Sequence, residues 1–345
     1  MIKQKSIFLD NFPFFRQRGE SIDHDVEILN VICDEASTQT ECQYIGNEFV
    51  YKPLLWLESQ EFKKVKEINM IYLESKPTSL LKKKITESFP NIKINFFNLL
   101  HVANYFFFEL GQQLAIKKNS ITRKNNCYFS IATIRLPRFY LLQYCQKHGI
   151  SNFGAPYIEQ NTLQNFKRQI ENLSNGKEII MNYVNKEKRP FGFIPQPEFE
   201  IKQMPLLADS RITIVSHYPW YDYISHFYDE KISLPIAAKT LPFFFDNKDA
   251  NLNLQDIGFK PYIGFNYSGD KEQNFVTRWK KILDDNRKFL INDRDNTEIY
   301  NLNKNIIDYN YNVLIKTNWK FKALRELDSL PSNIKDIILE NTDLI

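Results

Sequence analysis

The sequence is poor in glycine and cysteine and lacks any long apolar run. Neither GxGxxG nor GxxxxGK[ST] is present, so a glycine-cradled dinucleotide or P-loop reading has no support. GxSxG is absent too, which removes the hydrolase elbow. The four cysteines, Cys33, Cys42, Cys127 and Cys145, show no CxxC spacing. That argues against a disulfide framework and for a reduced, cytoplasmic chain. The five histidines, His24, His101, His148, His217 and His226, are scattered without metal-ligand spacing. No stretch of about 18 uncharged apolar residues exists, so no membrane span is expected. The opening MIKQKSIFLDNFPFF makes a poor signal peptide, because Asp10 and Asn11 interrupt its short apolar run. Large charge of one sign is also missing. A net charge of +4 does not demand nucleic acid, though it suits an anionic small ligand. No internal repeat or low-complexity segment stands out.

What remains is an ordinary globular composition, 43% hydrophobic and 25% charged over 345 residues. The length suggests two domains. The abundance of Asn, Lys, Ile and Phe reads as coding bias rather than function. In the first half, VEILNVIC (26–33), KEINMIYLES (66–75) and IKINFFNL (92–99) read as strands. LKKKITESF (81–89) suits an amphipathic helix between two of them. Strands alternating with helices predict a parallel α/β sheet. The polar ITRKNNC (121–127) places a boundary near residue 122, giving an N-terminal domain 1–122 and a C-terminal domain 123–345. In the second half, CYFSIATI (127–134), RITIVSHY (211–218) and LPFFF (241–245) read as strands. Helices are expected over Arg138–His148, with Gly149 as a stop signal, and over about 230–239. TRWKKILDDNRKFL (277–290) and SNIKDIILENTDLI (332–345) read as late helices. Two β-α-β domains facing each other would form a cleft, with ligands at the carboxyl ends of the strands.

Three stretches could carry chemistry. In HFYDEKISLPIAAKTLPFFF (226–245) the adjacent Glu230 and Lys231 stand at a helix mouth. The plain reading is a helix cap, but Asp229 would serve for that, and Lys231 has no capping role. A carboxylate that accepts from ribose hydroxyls beside a cation that holds a diphosphate needs this pair. Pro235 is tolerable if regular helix begins near Ser233 or if the helix kinks. In ATIRLPRFYLL (132–142), Arg135 and Arg138 follow a strand end and precede a helix, as a phosphate clamp would; two solvated arginines are the commoner case. In YLESKPTS (72–79), Glu74 falls at a strand tip before the breaker Pro77. There it could act as a general base on an acceptor hydroxyl, although a loop glutamate is the bland alternative.

Taken in order, these stretches resemble a glycosyltransferase of the two-domain GT-B type, two Rossmann-like domains facing across a cleft. The nearest likeness is to family ten, the fucosyltransferase-like enzymes, with their divergent phage and marine microbial members. LESKP stands where that family has a Glu-Ser-Pro element, with Lys76 inserted. CYFSIATIRLPRFYLLQYCQKHGISNFG stands at its strand–arginine–helix segment. FYDEKISLPIAAKTLPFFFDN stands at its Tyr-x-Thr-Glu-Lys element, with Asp229 in place of Thr. The resemblance spans roughly residues 65–260. It implies an acceptor-side first domain and a second domain that binds the nucleotide sugar. It also implies inversion at the anomeric carbon, no metal or other cofactor, and GDP-fucose as the donor the family name suggests. Glu230 would bind the donor ribose, Lys231 the ribose or diphosphate, Arg135 or Arg138 the diphosphate, and Glu74 would deprotonate a glycan hydroxyl. Tyr228 opens the element, and His217 and His226 flank it, so each could touch the donor.

Other classes remain open from the residues alone. The dense aromatics of SHYPWYDYISHFY (216–228) would also suit a non-catalytic module for glycan or single-stranded nucleic acid. A transferase acting on modified DNA bases would show a basic stripe, for which KKVKE (63–67) and LKKKI (81–85) are modest candidates. Asp293 and Asp295 in NDRDN match a metal-holding Asp-x-Asp, but a solvated loop is expected there.

Overall fold

The computed structural model describes residues 3–9, 22, 25–33, 42–45, 48–72, 76–77, 79–117, 123–129, 140–141, 144–145, 147–150, 198–216, 224–225, 230–245, 248–272 and 275–340. The chain begins with β1 (Gln4–Leu9), β2 (Ile28–Cys33), β3 (Cys42–Ile45), β4 (Glu48–Tyr51) and α1 (Lys52–Glu58). There follow β5 (Glu67–Tyr72), β6 (Lys76–Pro77), α2 (Ser79–Ser88), β7 (Lys93–Asn98) and α3 (Leu100–Leu114). Then come β8 (Asn125–Phe129), α4 (Glu198–Ala208), β9 (Ser210–Val215), β10 (Ile224–Ser225), α5 (Glu230–Ala237) and β11 (Leu241–Phe244). The last part is helical: α6 (Ala250–Asn253), α7 (Phe275–Ile291), α8 (Asp293–Leu302), α9 (Lys304–Lys316), α10 (Trp319–Leu327) and α11 (Ser332–Glu340).

The architecture is α/β with two parallel sheets. The chain divides into two compact units: Met1–Phe106, Trp220–Tyr228 and Asn318–Ile345 form one, Phe107–Pro219 and Asp229–Thr317 the other. The first crossing thus falls at Phe106/Phe107, within α3, and the last 28 residues of the chain group with the first unit.

In the first unit four strands lie in the order β1-β2-β5-β7, all parallel. From its second residue on, each of β2 and β5 is buried throughout, as strands covered on both faces are. That is why ILNVIC and EINMIY read as near-continuous apolar runs. One face packs Leu29, Val31, Ile68, Met70 and Tyr72 with Leu81 and Ile85 of α2. The other packs Ile32 and Ile71 with Leu99, with Val102 of α3 and with Ala323, Leu327, Ile334 and Ile338 of α10 and α11. The C-terminal helices are therefore part of the first unit's core. Each fully buried aliphatic side chain contributes roughly 1.5–3 kcal/mol.

The apolar runs are broken at one place. Ser6, Asn30, Asn69 and Asn95 are each the third residue of their strand and pair in register across all four strands. Asn30 Nδ2 donates to Ser6 Oγ at 3.1 Å, Asn69 Nδ2 to Asn30 Oδ1 at 2.9 Å, and Asn95 Nδ2 to Asn69 Oδ1 at 2.8 Å. A slip of one residue would face these amides with apolar side chains, so the ladder fixes register.

In the second unit three parallel strands lie in the order β11-β9-β8. Asparagines recur here in a different role. Four of them each hold both the N–H and the C=O of one residue in the stretch 260–266, which is neither helix nor strand. Asn310 holds Lys260, Asn251 holds Tyr262, Asn303 holds Ile263 and Asn286 holds Asn266, all at 2.7–2.9 Å. Asn286, Asn303 and Asn310 are fully buried. Side-chain amides thus satisfy a backbone that no strand pairs with. These four asparagines therefore have a structural role.

Candidate functional site

The local sequence explains why a charged pair opens α5. From Ile232 to Ala237 every residue of this eight-residue helix is buried, so ISLPIA leaves no face for charge. Ser233 faces Gly111 of α3, where an added Cβ would sit 3.0 Å from the serine Cβ; the two small residues let the helices touch. Regular helix begins at Glu230, within the expected span of about 230–239, and Pro235 lies inside it. Proline in that place removes the donor for the carbonyl of Lys231. The far end is anchored by Arg123. Its guanidinium donates to the carbonyls of Ala238 (2.9 Å) and Lys239 (2.6 Å) after α5, and to those of Ala208 (2.7 Å) and Ser210 (2.9 Å) after α4. Lys239 turns the chain with φ of 54° and leads into β11.

Only the first two residues of α5 reach the surface, and they do so in a recess. Glu230 accepts a hydrogen bond from Lys231 Nζ, and their side chains are 14% and 19% exposed. The recess is narrow, with a cavity volume of about 10 Å³. Its lining joins three elements: Gln203 and Leu207 from α4, Thr213, Ile214 and Ser216 from the end of β9, and Glu230, Lys231, Leu234 and Pro235 from α5. The recess therefore lies beside the carboxyl half of the central strand of a parallel sheet, the usual ligand position in open α/β sheets. Its floor is held by a 2.7 Å hydrogen bond between the hydroxyls of Thr213 and Thr240. The hydroxyl of buried Tyr128 donates to Gln203 Oε1 at 3.3 Å and orients that amide. A carboxylate, a cation and the positive end of a helix converge here, which suits a ligand carrying both hydroxyls and an anion.

The first unit offers a contrasting helix start. α3 follows β7, and Glu326 of α10 closes its N-terminus. Glu326 Oε2 accepts from the backbone N–H of His101 (2.7 Å) and of Val102 (3.3 Å), and Oε1 meets His101 Nδ1 at 2.5 Å. The imidazole stacks on Trp319. This helix start already holds an anion supplied by the chain itself, so an external phosphate has no place there.

Of the residues singled out from the sequence, the structure brings Glu230 and Lys231 together in the recess. Glu74, Arg135, Arg138, His217 and Tyr228 lie outside the described residues, as does His226. The segment holding Asp293 and Asp295 is not a loop: both residues stand in the first turn of α8, capped by Asn292, whose side chain accepts from the N–H groups of Arg294 and Asp295. Asp293 is bound by Arg211 at 2.9 Å. Among the described residues no three His, Cys, Asp or Glu side chains form a metal-binding group, and no helix is long and apolar enough to cross a membrane. Gly149 has φ of 65°, as a helix stop requires.

Sequence reasoning passed over Gln203, Thr213 and Ser216, which line the recess, and the His101–Glu326 pair. A polar residue within the run ITIV was the available signal for Thr213. No protein-family model, no curated protein and no solved structure matches this chain.

Proposed function

We propose that the chain is an inverting, metal-independent glycosyltransferase of the GT-B type that moves a sugar from a nucleoside diphosphate to a glycan hydroxyl. The observation that carries this reading is the Glu230–Lys231 pair, mostly buried and lining a recess beside the carboxyl half of β9. The order of the motifs along the chain supports it, through the likeness to fucosyltransferase-like enzymes, which suggests GDP-fucose as the donor. Glu230 accepts hydrogen bonds from the ribose. Lys231 and the start of α5 offset the charge that grows on the departing diphosphate. Arg135 or Arg138 adds to that clamp, and Glu74 takes the proton of the acceptor. The acceptor oxygen forms its bond to the anomeric carbon on the face opposite the leaving group. The carbon–oxygen bond to the diphosphate breaks, and its electron pair leaves with the diphosphate.

The test is release of nucleoside diphosphate from a panel of GDP-, UDP- and ADP-linked sugars in the presence of glycan acceptors. One donor class is expected to turn over, and Glu74→Ala to abolish turnover while donor binding persists. An unchanged rate in Glu74→Ala overturns the base assignment. Absence of both binding and turnover across the panel overturns the function.

A further inference from the structure

The aromatic stretch WYDYISHFY (220–228) groups with the first unit, although its neighbours in sequence, up to Pro219 and from Asp229, belong to the second. Of its nine residues the structure describes Ile224 and Ser225. These form β10, which pairs antiparallel with β6, Ile224 opposite Pro77 and Ser225 opposite Lys76. Lys76 stands two residues after Glu74 in the sequence. The stretch therefore joins the connection between β5 and α2, just past the carboxyl end of a strand in the first unit's parallel sheet. Open α/β sheets hold their ligands at that end.

The composition of the stretch selects the ligand. Five of its nine residues are Trp, Tyr or Phe, one is Asp222, and none is Lys or Arg. A diphosphate or a nucleic-acid strand is held by cations, and a carboxylate without a cation repels it. A sugar ring has other needs. Aromatic faces cover its apolar C–H surface, and a carboxylate accepts from its hydroxyls. We propose that residues 220–228 are the glycan-binding element of the first unit and select a neutral acceptor. This inference rests on the reading of the chain as acting on glycans. It moves His226 and Tyr228 from the donor to the acceptor, whereas His217 belongs to the second unit and is left with the donor.

The test is binding of the full-length protein to a printed array of neutral and sialylated oligosaccharides, with no nucleotide present. At least one neutral glycan should bind. Trp220→Ala and Tyr223→Ala should each weaken that glycan about tenfold, and Tyr223→Phe, which keeps the ring, should retain most of the affinity. Neither alanine variant should change the affinity for whichever of GDP, UDP or ADP binds the wild type. Thermal unfolding checks that each variant is folded. Amide exchange needs no variant: the glycan should slow exchange in the peptide covering 220–228. The proposal is overturned if the wild type binds no neutral glycan, or if a bound glycan leaves exchange in that peptide unchanged. It is also overturned if the folded alanine variants keep the glycan, whether or not they lose the nucleotide. If the glycan binds through these residues but no nucleoside diphosphate binds, the proposal stands and the transferase reading falls. If sugar is transferred while the variants leave glycan affinity and acceptor KM unchanged, the proposal falls and the transferase reading stands.

Discussion

Asn69 donates its side-chain amide to Asn30 at 2.9 Å, one strand away and in register, between two buried strands. Asn95 donates in turn to Asn69, so the middle residue is both donor and acceptor. Replacing Asn69 leaves Asn30 Oδ1 and Asn95 Nδ2 without this partner. Asn69→Ala should lower stability by about 1–3 kcal/mol in urea unfolding. Replacing Asn30 and Asn69 together should cost less than the sum of the two single changes, which a double-mutant cycle reads directly.

Glu326 holds the N-terminus of α3 from 225 residues away in sequence. Glu326→Ala removes the carboxylate that accepts from two backbone N–H groups and strands the buried His101 ring. A loss of about 2–4 kcal/mol is expected. Glu326→Gln, which keeps an acceptor, should recover part of it. Amide exchange should speed up first at His101 and Val102.

Asp270 is pushed up to about 6, chiefly by burial and in part by the nearby Asp249 carboxylate, while its bond from the Asp249 N–H pulls the other way. The folded state therefore holds this proton more tightly than the unfolded chain, whose value is near 3.8. The contribution is fully present below about pH 4 and is lost as the pH rises through about 6. In urea titrations Asp270→Asn should remove this downward slope between pH 4 and 6. An identical pH profile in the variant would contradict the assignment.

The thiols of Cys33, Cys127 and Cys145 are buried, and burial pushes Cys127 up to about 12. Cys127 also donates to the Leu290 carbonyl at 3.0 Å. Peptide mapping after a pulse of a thiol reagent at pH 8 should find these three unlabelled in the folded protein and labelled in denaturant.

Strands β2, β5, β9 and β11 were legible because buried parallel strands are written as largely apolar runs, as ILNVIC, INMIY, ITIV and LPFF are. β1 was not, since QKSIFL opens with polar residues. Helix α8 was passed over because its first turn, in NDRDN, read as a solvated loop. In fact Asn296, Asn303 and Asn310 are turned inward and bonded to backbone. The recurring asparagine at the third strand position was visible in ILNVIC, EINMIY and KINFFN, but its meaning needs the register of neighbouring strands. Of the site, Glu230 and Lys231 were legible because a charge pair abutting ISLPIA has no other place in the helix. Glu326 was not, because nothing local links it to His101.

Titration calorimetry with GDP, UDP and ADP against the wild type and Lys231→Ala tests the central claim most directly. The account predicts that at least one nucleoside diphosphate binds the wild type and that the substitution weakens it tenfold or more, about 1.4 kcal/mol. Equal affinity for both proteins, or no binding to the wild type by any of the three, would contradict it.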